Sequence, residues 1–228
     1  MSTSGTYVYA PSIGELGLNA FSRIQIRPPA IGQQHMLDLR TESNLLQASW
    51  SAQGITLWTV DLQTVSLVQG TASYSVPAET VMILDAYIGV GSPEVDRFIN
   101  PFSRTDYASI ANKTQQGFPT SFWFDRLLSP TITLWPVPDA NGPYTLKYYR
   151  YRQIQDAELS NAGDAEIPYL ALDAWAAGLA YRLARIYAPP LEQIRKADAD
   201  QAFAIFSKQY VENTPVYVQP MISSYYRP

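Results

Sequence analysis

The chain has no cysteine and a single histidine, His35. The first absence excludes disulfides, thiolate chemistry and Cys-type zinc sites. The second removes metal sites with two or more His ligands, and it permits a Ser-His-Asp-type triad only if His35 is the base. Charge is scarce too: 16% of the 228 residues are charged, below the usual quarter, and the 16 basic side chains are dispersed. With a formal net charge of −4, the chain lacks the clustered Lys and Arg that neutralise phosphate, so DNA near it would not be gripped. No apolar run approaches the ~20 residues of a membrane helix, and residues 1–11 lack the basic and apolar regions of a signal peptide. A soluble, unexported protein is expected. Phosphate-cradling loops are missing as well, since Gly89-Val90-Gly91 has no third glycine and no following helix.

Aromatic residues are plentiful: 16 Tyr and five Trp stand among 46% hydrophobic residues. A weakly charged, aromatic-rich chain of this length can build a core without metal or disulfide and still offer surface to other proteins.

The stretch from Ala165 to Glu212 organises the rest, as two helices split at Pro189-Pro190. Leu172, Trp175, Leu179, Leu183 and Ile186 fall on one stripe of a 3.6-residue helix, and Trp175, Leu179, Leu183 and Ile186 are candidates for subunit packing. Asp164 is placed as cap or pre-cap and Pro168 suits the first turn. A second stripe, Ala176, Ala180 and Ala184, is small enough to admit another helix backbone. Near the start, Ser12 with Glu15 three residues on opens a short helix to about Ile26, its apolar face made of Ile13, Leu16, Ala20 and Ile24. A longer helix follows from about Gly32 to Gln53, with Met36, Leu39, Leu46 and Trp50 on one stripe and Gly54 beyond its end.

Between these helices, from Thr56 to Gln153, the period drops to two and Gly/Pro turns recur. The strands expected are Val60–Val68, Ala72–Val76, Val81–Val90, Thr120–Arg126, Thr131–Val137 and Tyr144–Arg152. Pro138 to Pro143 carries hairpin chemistry between the last two. Ser103–Asn112 reads as a short helix or turn, and Gly91–Pro101 and Lys113–Pro119 as loops. The fold class expected is therefore α+β. A four-helix-type domain (residues 12–55 and 160–212) would carry an antiparallel β-sandwich or barrel-like insertion (56–159), flanked by an N-terminal arm (1–11) and an extended C-terminal arm (213–228). In that last arm, Pro215 and Pro220 frame β-prone residues, so helix is excluded. It either folds back on its own domain or docks on a partner as an added strand.

No catalytic constellation emerges. Asp85, Asp96, Asp106, Asp125, Asp139 and Asp156 show neither paired acid/base spacing nor a calcium loop and read as solvated turn residues. Arg182 and Arg185 read as a solvated helix face, with a neighbouring subunit's carboxylate as the alternative. The run Phe118 to Phe124, with Trp135, resembles the aromatic platforms that take glycans, peptides or single strands. Its alternation also fits a plain sheet, Phe122 and Phe124 in the core and Trp123 on a contact face with Trp135. No cofactor and no metal are expected, and no enzyme activity.

Several segments together resemble the head-to-tail adaptor family of tailed phages, also described as tail tubular protein A-like or packaged-DNA-stabilisation proteins. They are residues 44–58 at the helix-to-sheet junction, Val76 to Val81, Gly117 to Arg126, Pro130 to Asp139 and Ile167 to Ala184. The resemblance implies a helical domain with a β insertion, assembled as a dodecameric ring between the portal protein and a tail or nozzle protein of the virion. It also implies that the C-terminal arm reaches the portal, which makes Tyr217, Val218, Met221, Ile222, Tyr225 and Tyr226 the candidate portal-binding residues. Double-stranded DNA would pass through without specific binding, eased by an acidic lumen. No membrane partner is expected.

Overall fold

The computed structural model describes residues 5–7, 9–54, 57–91, 93–158 and 165–210. Helix α1 (Ile13–Arg23) starts where a capping box places it. The Ser12 hydroxyl accepts from the Glu15 N–H (3.2 Å) and the Glu15 carboxylate accepts from the Ser12 N–H (3.0 Å). Helix α2 (Gln33–Gln53) ends at Gly54, whose φ of 73° is the left-handed conformation that glycine adopts without strain. A 3-10 turn at Leu57–Thr59 leads into the sheet.

The strands are β1 (Val60–Ser66), β2 (Ser73–Ser75), β3 (Thr80–Val90) and β4 (Val95–Pro101), then β5 (Gln116–Gly117) and β6 (Ser121–Asp125) after the short helix α3 (Arg104–Ser109). β7 (Thr131–Trp135), β8 (Val137–Pro138) and β9 (Tyr144–Arg152) complete them. Seven form one sheet in the order β1-β9-β3-β4-β6-β7-β2, and β5 pairs separately with β8. The sheet curls into a half-barrel, so of the two shapes expected from sequence the barrel-like one is found.

Three expectations are corrected. Val95–Pro101, expected as loop, is a strand: it pairs antiparallel with β3 and, through Asn100 and Pro101, parallel with β6. That parallel step also means the unit is not purely antiparallel. The turn from Pro138 to Pro143 does not close a hairpin, because β7 pairs with β6 and β2 whereas β9 lies between β1 and β3. Its Asp139 instead accepts from Asn141 N–H (2.9 Å) and from the Tyr144 hydroxyl (2.8 Å), fixing the crossing from one half of the sheet to the other.

The chain returns through a 3-10 turn at Tyr169–Ala171, N-capped by Pro168, into α4 (Leu172–Tyr187). Pro189–Leu191 breaks it from α5 (Glu192–Gln209). α4 packs against α1, α2 and α5 at once. The small stripe does what its size allows: Ala176, Ala180 and Ala184 are buried, and a Cβ on Gly178 would stand 3.2 Å from Leu46 of α2.

Two separate cores result. The helical one is built on Phe21, Leu39, Trp175, Leu179 and Leu183; the sheet core on Ile88, Ile99, Ile132, Leu134 and Leu146. Each such side chain contributes about 1.5–3 kcal/mol by leaving water.

Candidate assembly surfaces

The two cores meet at a polar junction that sequence reading missed. Arg150 occupies an inward position of β9, the parity shared by Leu146 and Tyr148, and it is buried. A guanidinium there must be fully partnered. Its Nε and Nη2 donate to the two oxygens of Asp61 on β1 (2.7 and 3.2 Å), and its Nη1 donates to Glu79 and to the Thr80 hydroxyl (both 2.9 Å). Two residues on, Arg152 forks onto Glu166 and lies 3.5 Å from Asp61.

The carboxyls respond. Arg150 beside Asp61 holds its pKa below the ordinary value against the opposing effect of burial. Glu79 is lowered too, by its own backbone N–H and then by Arg150. Burial pushes Glu166 up, but Arg152 and the Gln155 N–H outweigh it, and the net shift is downward. The signal available in the sequence was a charged residue at a core-facing parity of β9.

Glu166 also belongs to the strap that returns to the helices, and Trp58 Nε1 donates to its carbonyl (3.1 Å). Further out, the Tyr151 hydroxyl donates to Ser51 O in α2 (3.0 Å) and Asn44 of α2 exchanges two hydrogen bonds with the Ala157 backbone (2.9 and 3.4 Å). A cleft of about 520 Å³ opens between Glu79, Arg150 and residues 152–156. Its guanidiniums are already engaged by Asp61, Glu79 and Glu166, so it offers no free cationic site. Among the described residues there is also no group of three or more His, Asp or Glu able to hold a metal ion.

Trp123 and Trp135 lie on one face of the β6–β7 pair, opposite Phe122 and Leu134, as alternation requires. That face is partly roofed. Tyr107 of α3 stacks on Trp123 with ring centres 5.5 Å apart, Lys113 sits over Tyr107, and the Trp135 indole donates to Asn112 O (3.2 Å). Tyr107 therefore covers the ring face of Trp123 on which it stacks.

Trp175, Leu179 and Leu183 are fully buried in the chain's own helical core. Of the four residues expected to pack subunits, these three face the chain's own core and Ile186 is exposed, at 47%. Arg182 finds Glu42 of α2 (3.3 Å) and Arg185 approaches Glu192 (3.8 Å), so each has a carboxylate within the chain. His35 is half-buried: its Nδ1 accepts from Gly32 N–H (3.2 Å), and its ring stacks on Tyr187, which donates to Asp38. Burial and that carboxylate push the Tyr187 phenol up to about 12. Tyr217, Val218, Met221, Ile222, Tyr225 and Tyr226 lie outside the described residues.

The described chain is thus a helical body and a curled sheet tied by ion pairs, with exposed apolar side chains on both. On the helices these are Leu37, Leu45, Ile194 and Ile205, on the sheet Leu62, Leu84 and Phe98, and in the β6–β7 connection Leu128. The family model described as SU10 adaptor protein matches residues 37–219. The chain belongs to this phage head-to-tail adaptor family. The matched span takes in most of α2, from Leu37 on, the whole half-barrel, α4 and α5, and ends between Val218 and Met221. The SU10 adaptor family is structural rather than enzymatic, which gives this chain the role of a structural component in a phage particle. No curated protein matches it significantly. No helix among the described residues is long and apolar enough to cross a membrane.

Proposed function

We propose that this adaptor joins the portal to the tail or nozzle in the neck of the virion, as a ring of copies, a dodecamer on the family resemblance, around the path of the DNA. The family match over residues 37–219 carries this reading. The surface supports it: Leu37, Leu45 and Ile186 leave apolar area on the helical body for neighbouring copies. A net charge of −4 suits a conduit through which phosphate must slide rather than bind. The C-terminal arm docks on the portal, with Tyr217, Met221, Tyr225 and Tyr226 as anchors, because aromatic and Met side chains dominate interface energetics. The half-barrel faces the next ring.

The test is sedimentation of the protein alone and with the portal protein of the same genome. A multiple-copy ring formed on the portal, and lost when the chain is cut after Asn213, is the expected result. A chain that ignores the portal overturns the reading.

A further inference from the structure

β1 is an open edge of the seven-stranded sheet. Its other side is bonded to β9 in an unbroken register, from Val60 facing Tyr151 to Ser66 facing Thr145. Leu67 continues that register by donating its N–H to Tyr144 O (2.9 Å). Bonded positions recur at every second residue of an antiparallel ladder. Asp61, Gln63 and Val65 therefore turn their backbone groups to β9, and Val60, Leu62, Thr64 and Ser66 turn theirs outward. Among the described residues no strand meets that outward row.

Natural sheets guard such edges with lysine, proline or bulges. Val60–Ser66 has no lysine, no proline and no bulge, and its one charge, Asp61, is bound to Arg150. Leu62 beside the open row is 45% exposed. The edge is built for pairing and, within the described fold, unpaired.

The point at which the described fold ends names the occupant. Tyr210, just past α5, packs edge-on against Trp58 with ring centres 5.3 Å apart, and a backbone hydrogen bond from Trp58 reaches its phenol oxygen. Trp58 stands two residues before Val60, so the chain leaves the described fold at the head of the open edge. Residues 211–214 span at most ~14 Å, which brings Pro215 alongside a strand of roughly 23 Å. There the sequence is Val216-Tyr217-Val218-Gln219 between two prolines, β-prone, with the two valines at alternate positions. We propose that residues 216–219 of the chain's own tail add to the open edge of β1 as an eighth, parallel strand. Pro215 and Pro220, which have no N–H to give, limit its length. The strand stands independently of portal docking, and a tail that serves both must leave the edge before it can reach a portal.

Hydrogen exchange on the full-length protein tests this, read at single amides. The amides of Leu62, Thr64 and Ser66 are expected to exchange at least ~10-fold faster when the tail carries Val216→Pro and Val218→Pro together. Those of Gln63 and Val65, bonded to β9, should not change, which separates loss of the added strand from loss of the sheet. Equal exchange of the outward amides in both proteins overturns the proposal. So does protection in the unaltered protein that vanishes on about tenfold dilution, since a neighbouring copy's tail would then be the occupant. Cosedimentation with the portal is scored separately, so either result can fail without the other.

Discussion

Arg150 on β9 grips Asp61 on β1 side-on, Nε to Oδ1 at 2.7 Å and Nη2 to Oδ2 at 3.2 Å, from a position inside the half-barrel. The planar fork matches the carboxylate in a way a lysine cannot.

Replacing Arg150 removes the donor from three acceptors at once. Arg150→Met is expected to destabilise the protein by about 2–3 kcal/mol, short of the ~3–5 typical of a broken buried pair, because Asp61 and Glu79 are over a third exposed and recover water. Arg150→Lys should recover less than half. Urea midpoints of the two variants decide it, and a loss below about 0.5 kcal/mol for the Met variant would show the junction to be ornamental.

Acid should loosen the same junction. Asp61, Glu79 and Glu166 all have folded pKa values below their ordinary ones. The unfolded chain therefore takes up protons first as pH falls. The stability they contribute is complete above the ordinary carboxylate range near pH ~4 and declines as pH drops through the folded values. Stability measured between neutral pH and pH ~3 should fall less steeply in an Asp61→Asn, Glu166→Gln protein than in the parent; identical slopes would count against the assignment.

At the alkaline end, Tyr187 is the reporter. Its folded value near 12 exceeds the ordinary 10, so the unfolded chain loses its phenolic proton earlier. The contribution is present below pH ~10 and is lost as pH rises toward the folded value. Tyr187→Phe should cost about 1 kcal/mol at neutral pH through the bond to Asp38. It should also remove a late component from the ultraviolet tyrosinate titration, and a titration curve unchanged at its upper end would exclude that origin.

Gly17 sits mid-helix in α1, where alanine ordinarily stabilises. Here a Cβ would lie 2.3 Å from Leu39 Cδ2, and Leu39 is fully buried. Gly17→Ala is expected to destabilise by about 1–3 kcal/mol by overpacking. In a double-mutant cycle with Leu39→Ala the two losses should add to less than their sum. Strict additivity would mean that α1 and α2 do not touch at this point.

The helices were largely legible because their ends are written locally: Ser12 with Glu15, Gly54, and the Pro189-Pro190 break each act through backbone chemistry within a few residues. The sheet was half legible. Strands rich in β-branched and aromatic residues stood out, but β4 carries Asp96, Arg97 and Asn100 and ends at Pro101, and only Ile99 of it is buried. Its strand character comes from β3 and β6, which no local pattern announces. The segment from Pro138 to Pro143 had the residues of a tight turn, but turn chemistry says where a chain bends and not which strand it then joins. For the assembly surfaces, the Trp175 stripe marked burial correctly; whether the cover came from the same chain or another copy depended on α1, α2 and α5, which converge on it only in three dimensions.

The Tyr151 hydroxyl meets Ser51 O, and Val60 pairs with Tyr151, so the half-barrel leaves and rejoins the helical body at nearly one point. An insert whose ends coincide is interchangeable. The helical body could exchange this sheet for a longer one, or for a short loop, without relocating any of its own helices.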